Sequence, residues 1–250
     1  MRDVTSVLLL LAGTTEATRL AELLVQVHGV DVLSSLAGVT ATPARRAGRT
    51  RTGGFGGAEG LADHLRENPV DALIDATHPF AAVMPFNAAA AAAATATPSC
   101  RLLRPPWVPT PADRWIDVPD LPAAAAVLSP LGAKRVLLTV GRQSTWAFAD
   151  HDAWFLVRAI EVPEVAPVDH QLLLERGPFD LTSERALLLD HRIDAVVTKN
   201  AGGTATMAKL VAARELEIPV VMVARPTPPD VTIVSGVDHA VAWLDGAVGL

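Results

Sequence analysis

The chain has 250 residues, half of them hydrophobic, enough for one large or two ordinary domains and too apolar for a disordered segment. A formal net charge of −6, with no run of Lys and Arg interleaved with aromatics, argues against a nucleic-acid partner. Cys100 is the single cysteine, which excludes an internal disulfide framework and a zinc site built on paired thiolates, and no metal is expected.

The first predicted unit is a strand from Val7 to Ala12, a turn at Gly13, and a helix with Leu20, Leu23, Leu24 and Val27 on one face and Gly29 at its C-terminal cap. The apolar run is too short for a signal peptide and meets Thr-Thr-Glu instead of a cleavage site. A helix opening directly after a buried strand leaves unpaired N–H groups and the positive end of its dipole at the turn, which suits an anion. The glycines depart from the GxGxxG fingerprint: Ala12, Thr14 and Ala17 stand in its three glycine positions and Gly13 is additional. Backbone approach would rest on Gly13 and threonine hydroxyls; the plain alternative is an ordinary turn capped by Thr14.

A second strand, from Val30 to Gly38, carries Ser34 and Ser35 where NAD-selective sites place an acidic residue against the ribose 2′-hydroxyl. Arg45, Arg46, Arg49 and Arg51 follow, so a bound dinucleotide is expected to be the phosphorylated one; otherwise the arginines are a solvated loop. Gly53-Gly54-Phe55-Gly56-Gly57 permits positive φ and close approach to a flat or phosphorylated ligand, and leads into a helix from Ala58 to Arg66. Val70 to Asp75 reads as a buried strand. Beyond it Pro79 suits the first turn of an alanine-rich helix from about Phe80 to Ala96, capped by Thr77 or His78. Asp75 and His78 then fall where a parallel strand delivers side chains to a ligand crevice. The alanine-rich stretch is too weakly apolar to span a bilayer, and a soluble cytoplasmic protein is expected.

A proline-rich stretch between Arg104 and Pro122, with Trp107 and Trp115, suits a domain boundary, and the expected domains are 1–112 and 113–250. The second begins with a helix from Leu121 to Leu131 and a strand from Lys134 to Val140. The turn Gly141-Arg142-Gln143 places a fork of donors where a carboxylate could bind. In the next strand, Trp154 to Ile160, Arg158 faces the crevice or pairs with Glu161. A helix from Glu184 to Leu189 leads to the strand Ile193 to Val197. That strand ends in Thr198-Lys199-Asn200-Ala201-Gly202-Gly203-Thr204, directly before a helix holding Met207, Leu210 and Val211. The lysine precedes the glycines, unlike a Walker loop, but lysine, amide and bare backbone together suit an anion. The last strand, Ile218 to Val223, ends at Arg225-Pro226, and Val231 to Leu244 closes as a strand and short helix. The fold class is therefore α/β with mainly parallel sheets, and the polar chemistry gathers at strand C-termini, where such sheets bind ligands.

Six stretches taken in order, Gly13-Thr14-Thr15-Glu16-Ala17, Ser35-Leu36-Ala37-Gly38, Gly53 to Gly57, Asp75 to Ala81, Gly141-Arg142-Gln143 and Thr198 to Gly203, resemble the precorrin-6A reductase family of the cobalamin (corrin) pathway. The resemblance implies two Rossmann-like domains with the substrate between them, and NADPH-dependent reduction of one double bond of the precorrin-6A macrocycle to give precorrin-6B. The family's second-strand turn usually reads Ser-Leu-Ala-Gly-Arg-Thr, whereas Val39 stands here in place of that arginine. On this resemblance Gly13, Thr14, Thr15, Glu16 and Ala17 hold the pyrophosphate of NADPH. Ser34, Ser35 and Arg45 or Arg46 hold the 2′-phosphate, and Gly54, Phe55, Gly56 and Gly57 lie near the nicotinamide. Thr77, His78, Arg142, Gln143, Lys199, Asn200, Gly202, Gly203 and Arg225 meet the substrate, with His78, Lys199 and Asp75 as the catalytic group. His78 is the first choice of proton donor and Lys199 the second, the alternative being a proton taken from solvent after positioning alone. The cobalt-precorrin-6A reductase of the anaerobic route shares these motifs, and a non-catalytic nucleotide or tetrapyrrole carrier on the same scaffold is the alternative of a different class. Hand-over of product to neighbouring corrin-pathway enzymes is a further expectation.

Overall fold

The computed structural model describes residues 6–37 and 47–249. In chain order the elements are β1 (Val7–Ala12), α1 (Thr15–Val27), β2 (Asp31–Leu36), β3 (Arg49–Thr52), α2 (Gly57–Glu67), β4 (Ala72–Ala76), α3 (Met84–Thr95), β5 (Ser99–Leu102) and β6 (Trp115–Val118). There follow α4 (Leu121–Leu131), β7 (Arg135–Thr139), a 3₁₀ turn (Thr145–Phe148), β8 (Trp154–Ala159), β9 (His170–Leu174) and α5 (Leu181–Asp190). The last are β10 (Ala195–Lys199), α6 (Ala208–Glu215), β11 (Val220–Val223), β12 (Ile233–Val234) and α7 (Val237–Val248).

These form two compact units, Met1–Pro105 with Pro226–Leu250, and Pro106–Arg225. The division falls inside the proline-rich stretch but before residue 112, and the C-terminal segment belongs to the first unit, not the second. The cause is strand pairing: Arg101 N–H donates to Thr232 O at 2.8 Å and Leu103 N–H to Val234 O at 2.9 Å, which adds β12 to the edge of β5. Hydrophobic periodicity carries no information about which sheet a strand joins.

The first sheet runs β3-β2-β1-β4-β5-β12 and the second β9-β8-β7-β10-β11-β6, each parallel throughout. Each thus winds outward from a central strand on one side and resumes on the other, the doubly wound order whose reversal opens a crevice beyond the strand C-termini. In the first unit the reversal lies between β1 and β4, in the second between β7 and β10. Leu8 to Leu11 are almost wholly buried, as a central parallel strand covered on both faces requires. Leu8 and Leu10 pack with Leu20 and Leu24 of α1 and Ala240 and Leu244 of α7; Leu9 and Leu11 pack with Leu61 and Leu65 of α2 and the alanines of α3.

Strands β3, β5 and β9 were not expected, each being four or five residues long, and β3 and β9 lacking buried apolar residues. Helix α3 opens at Met84, several residues later than expected, because Pro85 takes the first helical turn. Pro79 lies in a separate turn closed by Ala81 N–H on His78 O at 2.8 Å, so neither Thr77 nor His78 caps the helix.

The core of the second unit holds charge. Arg158 does not pair with Glu161: it forks onto the Glu184 carboxylate, with Nη2 to Oε2 at 3.0 Å, its guanidinium lies 4.0 Å over the Phe179 ring, and it lines a cleft with Glu175 and Arg176 beyond β9. Both members of the pair are buried. Lys209, 3% exposed, donates to Thr206 O at 2.9 Å and sits 5.1 Å from the centre of the Trp107 ring. Burial above all, then the nearby Arg158 charge, partly offset by Glu184, pulls the Lys209 ammonium down to about 7.

Two predictions follow from this core. Glu184→Gln strands the Arg158 charge and should cost about 3–5 kcal/mol in urea unfolding, whereas the double change Arg158→Met with Glu184→Leu should be close to neutral. The unfolded chain binds the Lys209 proton up to about pH 10.5 while the folded protein releases it near 7. Protonation therefore penalises the fold below pH 7, and that penalty fades between 7 and 10.5. Lys209→Met should accordingly raise Tm more at pH 6 than at pH 9; an equal gain at both would show that the buried ammonium is not the cause.

Candidate functional site

At the reversal in the first sheet, two turns are joined. Thr14 precedes α1 in an extended conformation and its hydroxyl accepts from Ala17 N–H at 3.2 Å, capping the helix. The same hydroxyl donates to Ala76 O at 3.0 Å, at the end of β4. A Cβ on Gly13 would stand 3.5 Å from His78 N and 3.6 Å from Thr77 Cα, so the glycine brings the two backbones close without crowding. The first amides of α1, those of Thr15 and Glu16, precede its first intrahelical bond and remain donors to an anion at this turn. Glu16 itself pairs with Arg104 at 2.7 Å.

On the β4 side, Asp75 is 4% exposed, too deep to reach a ligand. Its Oδ1 accepts from Thr77 N–H at 3.0 Å and from the Thr77 hydroxyl at 2.6 Å, which engages the donors that Thr77 was expected to offer a substrate. His78 is the exposed member of the turn. Its Nδ1 accepts from Phe80 N–H at 3.2 Å, which leaves the proton of the neutral ring on Nε2.

At the ends of β2 and β3 the serine pair splits. Ser34 is 0% exposed and, alternating with Val32 and Leu36, lies on the α1 face of the sheet, so it cannot meet a ligand at the rim. Ser35 is the register partner of Arg51, whose Nη1 donates to its Oγ at 2.8 Å. Arg51 also donates to Gly53 O at 3.2 Å and Gly54 O at 3.1 Å, and stacks 3.8 Å over the Phe55 ring. The glycine-rich loop is thus wound around one guanidinium. Gly60 is its seat, since a Cβ there would fall 1.8 Å from Phe55 O. Arg45 and Arg46, with Val39, lie outside the described residues. Of the four arginines expected near a dinucleotide, Arg51 is the one among the described residues that meets Ser35, and the alternation Arg49-Thr50-Arg51-Thr52 is the signal for the strand that carries it.

The second sheet repeats the arrangement at its own reversal. Lys199, at the end of β10, donates from Nζ to Ser144 Oγ at 2.7 Å, in the turn after β7, and its burial lowers the ammonium to about 8. Arg142 of that turn faces Glu161 at 3.4 Å, and Gln143 is exposed beside it. The loop after β10 is bolted by Trp107: its N–H donates to Asn200 Oδ1 at 2.8 Å, Asn200 Nδ2 returns to Trp107 O at 3.1 Å, and the indole donates to Gly203 O at 2.8 Å. The Asn200 amide is therefore structural, contrary to its expected role. Arg225 Nε donates to Asn200 O at 2.6 Å, and Gly202 and Gly203 have φ of +67° and +81°. Helix α6 opens only at Ala208, so the loop does not run straight into a helix N-terminus as expected. Among the described residues no cluster of His, Cys, Asp or Glu could hold a metal, and no helix is long and apolar enough to cross a membrane.

Residues 7–245 match the family model described as precorrin-6x reductase CbiJ/CobK. The chain is 52% identical over 240 residues to a protein of Rhodococcus erythropolis named precorrin-6A reductase, covering 95% of this chain and 96% of that one. A cobalt-precorrin-6A reductase of Methanothermobacter thermautotrophicus is 32% identical over 241 residues, covering 87% of this chain and 76% of that one. The solved structure of a CobK precorrin-6A reductase superposes with a TM-score of 0.91 at 41% identity, covering 98% of this chain and all of that one. The chain is thus an oxidoreductase with two Rossmann-like units, and it belongs to the precorrin-6x reductase CbiJ/CobK family.

Proposed function

We propose that the protein uses NADPH to reduce one double bond of the precorrin-6A macrocycle, giving precorrin-6B. The observation that carries the choice of reductant is the Arg51 guanidinium bonded to Ser35 at the end of β2, where a fold of this strand order meets the ribose 2′ position. An acidic residue there would accept from a 2′-hydroxyl and repel a 2′-phosphate; a guanidinium beside a hydroxyl does the reverse. The greater likeness to a precorrin-6A reductase than to a cobalt-precorrin-6A reductase favours a ring without cobalt. The enzyme would work in the cytoplasm and pass its product to neighbouring enzymes of the corrin pathway.

The first unit fits a dinucleotide, since α1 opens with its free amides at the reversal of the sheet and Gly13 presents bare backbone there. Gly13 to Ala17 would hold the pyrophosphate by backbone, Arg51, braced by the buried Ser35 hydroxyl, the 2′-phosphate, and Gly54 to Gly57 the portion nearer the nicotinamide. NADPH supplies the hydride; binding and orientation are left to the protein. His78 would hold a proton at Nε2 for the reduced carbon, its ring fixed by the Phe80 amide on Nδ1. Lys199, Arg142 and Arg225 would take carboxylates of the macrocycle as fixed cations on the second sheet's rim.

Two measurements test this reading. Arg51→Ala should raise KM for NADPH by roughly tenfold or more while changing KM for NADH far less, and Arg51→Lys should recover part of the preference. Equal effects on the two nucleotides would remove the assignment. Because Lys199 loses its proton near 8, KM for precorrin-6A should rise as pH passes that value. Lys199→Arg should push this limb to higher pH. Lys199→Ala should raise substrate KM roughly tenfold at pH 7 with KM for NADPH unchanged; an unaltered substrate KM would count against the contact.

A further inference from the structure

We propose that Arg101 is a positioning residue for the reductase: acting through Asp75, its guanidinium fixes the Thr77–His78 turn against Gly13. The proposal rests on the reading above, in which that turn faces reductant and substrate. Arg101 and Asp75 are register partners on the adjacent parallel strands β5 and β4, and both are nearly inaccessible, at 3% and 4% exposure. Arg101 Nε stands 3.5 Å from Asp75 Oδ2, close enough for strong attraction between buried opposite charges but long for a hydrogen bond. Neither of those two atoms has a hydrogen-bond partner among the described residues.

The division of labour within the carboxylate is the informative feature. Oδ1 takes both donors of Thr77, its amide and its hydroxyl, while Oδ2 is turned to Arg101. The terminal torsion of an aspartate is broad, so the Arg101 charge beside Oδ2 adds to the two Thr77 hydrogen bonds on Oδ1 in keeping the carboxylate in one orientation. Without Arg101 it would also be a buried, uncompensated anion. Small residues of α3 make room for the cation: a cavity of about 10 Å³, the size of one water, is lined by Pro85, Ala88 and Ala89 together with Asp75, Cys100 and Arg101. Cys100 does not compete for the charge, because burial and then the Asp75 carboxylate push its thiol up to about 12.

A plain ion pair knitting β4 to β5 would end at the sheet. This one continues: Thr77 adjoins His78, both backbones lie against Gly13, and Ala76 O receives the Thr14 hydroxyl that caps α1. A displacement of Thr77 is thus passed to the pyrophosphate turn and to the proposed proton donor together. No part of Arg101 needs to touch a ligand for this.

The test uses the full-length protein and the variants Arg101→Lys, Arg101→Met and the double change Asp75→Asn with Arg101→Met. Two readouts are taken: amide hydrogen exchange across residues 75–81 without ligand, and kcat and KM with NADPH and precorrin-6A each varied. Arg101→Met should speed exchange at Thr77 by roughly tenfold, leave the strands β1 and β2 protected, and lower kcat/KM for both reactants, while Arg101→Lys recovers most of each. If Arg101→Met does not fold, the double variant, which leaves no charge buried, should fold and show the same two defects. Wild-type exchange at Thr77 in the folded variant would overturn the proposal, as would a uniform rise across the whole first unit, the mark of a purely structural pair. Faster exchange at Thr77 with wild-type kinetics would instead overturn the placement of this turn in the reaction, and the reading beneath it.

Discussion

One hydroxyl, that of Thr14, ties the first unit together at the point where its chemistry is proposed. It caps α1 through Ala17 N–H and reaches across the reversal of the sheet to Ala76 O. A doubly wound sheet opens a crevice between the turns after its first and fourth strands whatever the sequence. What the sequence controls is how closely the two turns approach and whether they move together. Thr14 makes the connection, and Asp75, through Thr77, holds the far side. The first amides of α1 and the imidazole of His78 are thereby presented from two turns joined by a hydrogen bond.

The second unit solves the same geometric problem with different chemistry. Its two turns are bridged by Lys199 and Ser144, so the link is itself a cation at the rim. Where the first unit keeps its bridge neutral, the second keeps a partly desolvated ammonium. The Trp107 bolt explains how a loop with two left-handed glycines keeps its shape without a helix immediately behind it.

Most of the architecture was legible in the sequence because long buried parallel strands and amphipathic helices have strong periods: β1 with α1, α4, β8 and β11 lie close to where hydrophobic pattern and caps put them. What escaped was decided by pairing alone. Strand β3 has the pattern of a polar loop until its neighbour is known, and β12 pairs in the first sheet for reasons no local pattern records. The candidate site was legible as a set of turns and less so as a set of atoms. Ser34 and Ser35 are indistinguishable in sequence, yet alternation on a strand sends them to opposite faces, Ser34 beneath α1 and Ser35, also buried, against the Arg51 guanidinium. The polar groups of Thr77, Asp75 and Asn200 are committed within the protein, the first two largely to each other and Asn200 to the Trp107 backbone, which type and spacing cannot disclose.

The interrupted course of the first unit bears on its biogenesis. Residues of Pro106–Arg225 are synthesised between β5 and the segment that supplies β12 and α7. As the chain leaves the ribosome, the contiguous unit can complete its sheet while the earlier-made one still lacks an edge strand and the helix that covers Leu20 and Leu24. The portion born first is therefore finished last, its β5 edge and the face of Leu20 and Leu24 staying uncovered until β12 and α7 have been made.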